Sequence, residues 1–138
     1  MPLFLSLLLV LTVSPVLLAQ SGPPITADVP FAFEMANKTL AAGSYELYNA
    51  GSGAPLTVRN FASNDAAIVM TNTENYSHTA ERTVRLVFNK YGDRHFLAEI
   101  WYPELGRKVM KSRNEKALVT SKLIAATPER VVILARLR

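Results

Sequence analysis

Apolar and polar residues alternate with a period of two along much of the chain. Val29, Phe31, Phe33 and Met35 form one apolar row in which polar or small residues intervene. Alternation of this kind is typical of a β-strand that buries one face. Pro30 lies inside the row and cannot donate to a strand ladder, so the sequence predicts a strand that lies at the edge of a sheet or one that starts late.

The same alternation predicts further strands and two hairpins. Leu56–Phe61 and Ala66–Thr73 are expected to pair around a polar turn. The clearest hairpin is Thr83–Tyr102, whose turn contains Gly92, a residue that adopts positive φ without strain. Its two apolar rows are Val84, Leu86 and Phe88, and then Phe96, Ala98, Ile100 and Tyr102. The final strand, Glu129–Leu137, carries apolar residues on both faces and is therefore expected to be covered on both sides.

One segment near the C-terminus has the pattern of a helix. Ser112 and Glu115 form a capping box, in which the serine caps the helix and the glutamate reaches back to the backbone of the serine. The helix is predicted over Arg113–Ala125, with Leu118 and Val119 on its apolar side, and Thr127-Pro128 ends it. Asn37–Gly43 is interpreted as a turn.

These elements predict a mainly β fold. About seven short strands joined by turns, with one short helix, are typical of an antiparallel β-sandwich or a small β-barrel. The spacing is not that of βαβ units. We expect a single β-rich domain over residues 28–138, preceded by a flexible lead-in at residues 20–27.

The first residues have a different pattern. Met1–Ala19 contains an apolar core and ends in a small residue, which is typical of a secretory signal peptide. The protein is therefore expected to be exported to the periplasm or the extracellular space. No later stretch is apolar enough to span a membrane.

Composition narrows the possible chemistry. The chain has no cysteine, which excludes disulfides, thiolate nucleophiles and cysteine-bound metals. Charge is distributed unevenly: Gln20–Glu81 carries two basic and six acidic residues, whereas Arg82–Arg138 carries thirteen basic and five acidic ones. A basic half favours an anionic partner. For an exported protein we expect an anionic cell-envelope component, or another envelope protein, rather than nucleic acid.

Three stretches together resemble one family. They are Val29–Phe33 with Lys38–Tyr45, then Leu86–Trp101, then Ser112–Leu118. Their layout, V-P-F-x-F, T-L-x-A-G-x-Y, Y-G-D-R-x-F and S-R-x-E, resembles that of small exported β-rich bacterial proteins, frequent in soil-dwelling acidobacteria. The resemblance implies export and a β-rich fold, and implies no activity. The chain departs from the pattern at Ala41, where the family has proline, and at His95, where tyrosine is usual, which argues against a required catalytic role for His95.

Candidate binding residues lie in the basic half of the chain. Aromatic and arginine side chains at a sheet end are frequent in interfaces, and the densest basic cluster begins at Arg107. The predicted ligand or partner surface comprises Tyr91, Arg94, His95, Trp101, Arg107, Lys108, Lys111 and Arg113. Lys116 extends the basic cluster into the helix.

Two alternatives differ in kind from a binding or structural module. A small barrel could hold an apolar ligand in a cavity lined by Phe31, Phe33, Leu86, Phe88 and Ile100. A hydrolase could use His95 with Asp93 or Glu99. No serine lies in a G-x-S-x-G pattern, and no spacing of histidines or carboxylates matches a metal site. The sequence therefore favours a protein without enzymatic activity, cofactor or metal.

Overall fold

Two β-sheets and one short helix form the described part of the chain, residues 23–49, 55–74, 83–103, 106–121 and 127–138, in the computed structural model. The elements within these ranges are β1 (Ile25–Val29), β2 (Phe33–Met35), β3 (Lys38–Leu40), β4 (Gly43–Asn49), β5 (Leu56–Asn60), β6 (Ala66–Val69), β7 (Thr71–Glu74), β8 (Arg85–Tyr91), β9 (Arg94–Trp101), β10 (Gly106–Val109), α1 (Arg113–Thr120), β11 (Glu129–Leu134) and β12 (Arg136–Leu137). The prediction of a mainly β fold with one short helix is confirmed.

The sheets pack face to face as a sandwich. The five-stranded sheet has the order β12-β1-β4-β5-β6, and the seven-stranded sheet has the order β11-β8-β9-β10-β7, with β2 and β3 attached through β9. Side chains from the two inner faces form one core. The largest almost fully buried side chains of the described residues are Tyr45, Phe88, Phe96, Ile25, Met35, Leu40, Leu47, Leu56, Leu86, Ile100 and Val58, and all of them except Phe96 belong to this core. Phe96 lies on the opposite face of β9 from this core. The fold is a sandwich and not a closed barrel, so the barrel alternative is wrong.

Besides the short link between β3 and β4, three chain segments cross from one sheet to the other. The first crosses between β1 and β2, at Pro30, which has no N–H to donate. The second crosses at Met70, between β6 and β7, and the third at Ala135, between β11 and β12. Each of these segments was predicted as a single strand. Together with β3 and β10, which were assigned to a turn and a connection, the crossings explain why about seven predicted strands become twelve among the described residues.

The turn between β2 and β3 has a left-handed backbone. Ala36 and Asn37 have φ values of 50° and 60°, and Met35 pairs with Lys38 across the two-residue loop. Positive φ at both central residues defines a type I′ turn, whose twist matches that of the flanking strands. The turn thus occupies Ala36 and Asn37, whereas three of the seven residues of the predicted turn Asn37–Gly43 form strand β3 and Gly43 begins β4.

An extra residue changes the faces of strand β9. Val87 pairs with Glu99 but Phe88 pairs with Leu97, so Ala98 is left over in a β-bulge. Because of the bulge, Leu97 joins Ile100 in the core and Phe96 faces the other way. The single apolar row predicted from Phe96 to Tyr102 is therefore wrong.

Helix α1 lies against the outer face of the seven-stranded sheet. The Ser112 side chain accepts a hydrogen bond from the Glu115 backbone N–H at 3.2 Å, so the predicted serine cap is confirmed. The carboxylate of Glu115 does not reach back, because it is buried against Asn89 and Tyr91 of β8. Helix α1 ends at Thr120, and the predicted continuation to Ala125 lies outside the described residues.

The two ends of the described chain lie side by side. Strand β1 begins at Ile25, inside the predicted lead-in at residues 20–27, because it pairs with β4 on one side and β12 on the other. Strand β11 is an edge strand on which Val132 is 51% and Leu134 is 70% exposed, so the prediction that it is covered on both sides is wrong. The predicted signal peptide, Met1–Ala19, lies outside the described residues. Among the residues in the described ranges, no helix has the length and apolarity needed to cross a membrane.

Candidate functional site

Tyr91 is a structural residue of the helix–sheet contact and not part of an exposed surface. It is buried, its ring packs edge-on against Phe96, and its hydroxyl donates to Glu115 Oε1 at 3.1 Å. Burial, together with the Glu115 carboxylate, raises the pKa of Tyr91 to about 12. The predicted contact of Tyr91 with a partner is therefore wrong.

Arg94 is exposed but its charge is already paired. Its Nη2 lies 2.7 Å from both carboxylate oxygens of Glu34, and its guanidinium carbon lies 5.2 Å from the centroid of the Phe96 ring. The ion pair joins the acidic half of the chain to the basic half. Arg94 can thus bind an anionic partner only if its ion pair with Glu34 is broken.

His95 faces a small open groove. Its ring stacks on Phe31 with 3.9 Å between centroids, and burial lowers the pKa of His95, with Lys90 acting in the same direction. His95 also lines a groove of about 120 Å³ with Asp93 and Thr39. Among the residues with described positions, no side-chain hydrogen bond joins Thr39 to His95.

Glu99 takes no part in that groove. The bulge at Ala98 places Glu99 on the opposite face of β9 from His95. Its carboxylate instead lies 2.7 Å from Arg130 Nη2 and accepts a hydrogen bond from Trp101 Nε1 at 3.0 Å. The predicted pairing of His95 with Glu99 is therefore wrong, and of the two carboxylates only Asp93 lies in the groove with His95.

Trp101 packs across the backbone of Gly106. A Cβ atom built on Gly106 would lie 2.9 Å from Trp101 Cζ3, so the indole occupies the place of a side chain at that position. Arg85 lies over the ring at 5.0 Å from its centroid. Trp101 therefore shields β10 on the outer face of the seven-stranded sheet while part of the ring remains accessible.

Arg107 is buried and points into the sandwich. It is 6% exposed, its Nη1 donates to Thr71 Oγ1 at 3.3 Å, and its Nε has no hydrogen-bond partner in the described part of the chain. No carboxylate among the described side chains forms an ion pair with it. A guanidinium buried without a counter-charge costs roughly 3–5 kcal/mol. The prediction that Arg107 belongs to the exposed basic cluster is wrong.

The remaining basic residues of the cluster are exposed. Lys108 lies on the outer side of β10, opposite in direction to Arg107. Lys111 follows that strand, and Arg113 and Lys116 lie in the first turns of α1. The helix has about 3.6 residues per turn, so burial of Glu115 against the sheet directs Arg113 and Lys116 towards solvent. We refer to Lys108, Lys111, Arg113 and Lys116 as the cationic surface.

Most other cations of the described chain have acidic partners. The ion pairs are Lys38–Asp65, Arg59–Glu46, Lys90–Glu129, Arg94–Glu34, Arg130–Glu99 and Arg138–Glu46. Lys111, Arg113 and Lys116 form no ion pair within the described part of the chain. Among the described residues, the basic half is thus largely neutralised except at Arg107, at Arg136 and around the start of α1.

The predicted apolar cavity is filled by side chains. Leu86, Phe88 and Ile100 are at most 2% exposed. The rings of Phe31 and Phe33 contact Phe88 edge-on, with 5.1 and 5.3 Å between centroids. These residues pack on one another, so they do not line a space for an apolar ligand.

Sequence reasoning missed the partners of Arg107. Arg107 donates to Thr71 on β7 and lies near Tyr102, and Tyr102 in turn accepts a hydrogen bond from Asn49. Residues 106–109 were interpreted as a connection, and alternation was not applied to them. Treated as a strand, they would place Arg107 on the same face as Val109, which is the available signal that this arginine points inwards.

The described side chains contain no group of three histidine, aspartate or glutamate residues placed to hold a metal ion. Comparison of the chain with protein-family models, curated proteins and solved structures gives no match.

Proposed function

We propose that this chain is an exported, non-enzymatic binding module of the periplasm or cell envelope that docks on an anionic envelope component. One observation carries the proposal: Lys111, Arg113 and Lys116 are exposed, adjacent and without ion pairs, on a described surface where other cations are mostly paired. Unpaired cations attract an anionic surface without first breaking internal contacts. The export part rests on the apolar segment Met1–Ala19 and on the family resemblance.

The position of the cations supports docking rather than a role in the fold. Cations in the first turn of a helix oppose its dipole, at a cost of about 0.3–1 kcal/mol each. Glu115, the acidic residue of that turn, is turned towards the sheet and is hydrogen-bonded to Asn89 and Tyr91. The placement of Arg113 and Lys116 thus gives no stability to the helix, which is understandable if their contribution is to binding.

The test removes three charges at the cationic surface and three elsewhere. Lys111→Gln, Arg113→Gln and Lys116→Gln combined are expected to weaken binding to anionic vesicles or to a uronic-acid polymer about 100-fold, at about 1 kcal/mol per cation. The control carries Lys38→Gln, Lys90→Gln and Arg136→Gln, which change the net charge equally and should retain most of the affinity. The two anionic probes distinguish a lipid from a polysaccharide partner.

Equal losses in the two triple variants would show that only net charge matters and would contradict the proposed surface. Binding of the wild-type chain to neither probe at low salt would also contradict it. Mass spectrometry of the purified protein tests export separately: a chain that begins at Gln20 supports cleavage, and one that retains Met1 argues against it.

A further inference from the structure

The end of the sandwich that contains Arg107 has polar side chains from both sheets. Asn49, the last residue of β4 in the five-stranded sheet, donates from Nδ2 to the Tyr102 hydroxyl at 3.0 Å. Tyr102 follows β9 in the seven-stranded sheet, and Arg107 and Thr71 lie on its strands β10 and β7. The four side chains therefore meet between the sheets, at the edge of an apolar core.

Two of these side chains have hydrogen-bonding atoms that are buried and unused. Arg107 is 6% exposed and Asn49 is 9% exposed, and within the described ranges Arg107 Nε and Asn49 Oδ1 have no hydrogen-bond partner. Buried polar atoms are normally satisfied, so an unsatisfied donor on a full positive charge requires an explanation. Arg107 also lies near enough to Tyr102 for its charge to oppose the rise that burial causes in the pKa of that tyrosine.

The side chains of Arg107, Tyr102, Thr71 and Asn49 offer mainly hydrogen-bond donors. Arg107 Nε–H is unused, and the hydroxyls of Tyr102 and Thr71 act as acceptors in their described bonds, which leaves their own protons to donate. Asn49 can offer either its carbonyl or its amide edge, because the two are exchanged by a rotation of the side chain. A cationic group surrounded by donors is complementary to an oxyanion.

We propose that Arg107, Tyr102, Thr71 and Asn49 form a binding site for a small oxyanion, a carboxylate or a phosphate group. The site goes beyond the cationic surface and is independent of it, since Arg107 points into the sandwich and Lys108 points out. A bound oxyanion supplies the counter-charge that no described carboxylate gives to Arg107, and it accepts the unused N–H. A hydroxyl on the ligand, as in a hydroxy acid or hydrogen phosphate, can donate to Asn49 Oδ1.

The test compares thermal unfolding of the chain with acetate, glycolate or phosphate against chloride at equal ionic strength. At about ten times the dissociation constant, a fitting anion is expected to raise the Tm by about 5 °C. A larger rise in Tm with glycolate than with acetate indicates that Asn49 accepts a hydrogen bond from a ligand hydroxyl. A larger rise with phosphate than with either carboxylate identifies a phosphate site. Any of these shifts supports the proposal if it depends on Arg107.

Arg107→Met separates a ligand site from a structural arginine. Removing an uncompensated buried charge is expected to raise the Tm without anion by about 4 °C or more and to abolish the anion-dependent shift. Arg136→Met, at an exposed arginine, is the control and should keep the shift. Tyr102→Phe retains the charge and is expected to weaken anion binding about fivefold, which provides a test should Arg107→Met fold poorly.

Two results would overturn the proposal. In the first, none of the three anions raises the Tm of the wild-type chain, and Arg107→Met has a lower Tm than the wild type. This result is expected if water satisfies the hydrogen bonds of Arg107. The second is an anion-dependent shift that persists in Arg107→Met. Neither result affects the cationic surface, whose three-glutamine variant should retain the response to small anions.

Discussion

His95 is held in its neutral form by its surroundings. Its ring stacks on Phe31, and burial lowers its pKa from 6.5, with Lys90 adding to the effect and Glu129 and Asp93 opposing it. The unfolded chain therefore binds a proton at a higher pH than the folded chain does. Protonation thus favours unfolding, and the free energy of unfolding decreases as the pH falls below about 6.5.

His95→Phe is expected to remove this pH dependence while retaining the ring stack on Phe31. The difference in the free energy of unfolding between the wild type and His95→Phe should be constant above about pH 7.5 and should shift in favour of the variant between about pH 7.5 and 5.5 (about one unit either side of the ordinary histidine pKa). Urea unfolding at several pH values measures it. A difference that is independent of pH would contradict the described environment of His95.

At the residue scale, the sequence predicted exposure better than it predicted buried charge. Lys111 and Arg113 were expected to be exposed and are. Arg107 and Glu115 were assigned to the surface or to a local cap, yet both are buried. Their surroundings come from segments far away in the sequence, such as Thr71 for Arg107 and Asn89 for Glu115. Local patterns do not contain these contacts.

At the scale of elements, one buried carboxylate fixes the helix to the sheet. Glu115 Oε1 accepts hydrogen bonds from Asn89 Nδ2 and from the Tyr91 hydroxyl, both at 3.1 Å. A second contact joins the Asn114 backbone N–H to Asn37 Oδ1 in the turn between β2 and β3. Helix α1 is short, and short helices depend on such tertiary contacts rather than on their own propensity.

Glu115→Ala is expected to destabilise the protein by about 2–3 kcal/mol, because it leaves two buried donors unsatisfied. Tyr91→Phe should cost about 1–2 kcal/mol, since it removes one hydrogen bond to a charged acceptor. Lys116→Ala, one residue along on the exposed side, is the control, with a change of at most about 0.5 kcal/mol. Equal stability of the Glu115→Ala and Lys116→Ala variants in urea would show that Glu115 does not anchor the helix.

The existence of strands was readable from the sequence, but their division between sheets was not. The alternation in Val29–Met35 continues through Pro30, although the chain changes sheet there. The same is true at Met70 and Ala135, because both sheets bury their inner face in one core. An alternation of apolar and polar residues indicates which face of a strand is buried, but it does not indicate to which of the two sheets the strand belongs. The bulge at Ala98 likewise depends on the pairing with β8.

At the scale of the whole molecule, folding interleaves the two oppositely charged halves of the chain. Glu34 and Glu46 from the acidic half pair with Arg94 and Arg138 from the basic half. Lys111, Arg113 and Lys116, which follow β10, form no such ion pair within the described residues, and neither does Arg107. We therefore propose two binding positions of different character: the exposed cationic surface for a large anionic partner, and the buried group around Arg107 for a small oxyanion.

Residue-resolved NMR titration tests this central claim most directly. Addition of an anionic polymer or vesicle is expected to shift the amide resonances around Lys111, Arg113 and Lys116, and to leave Thr71 and Arg107 unchanged. Addition of a small oxyanion should shift Thr71 and Arg107 and leave the start of α1 unchanged. Shifts confined to the five-stranded sheet, or the same residues responding to both ligands, would contradict the account.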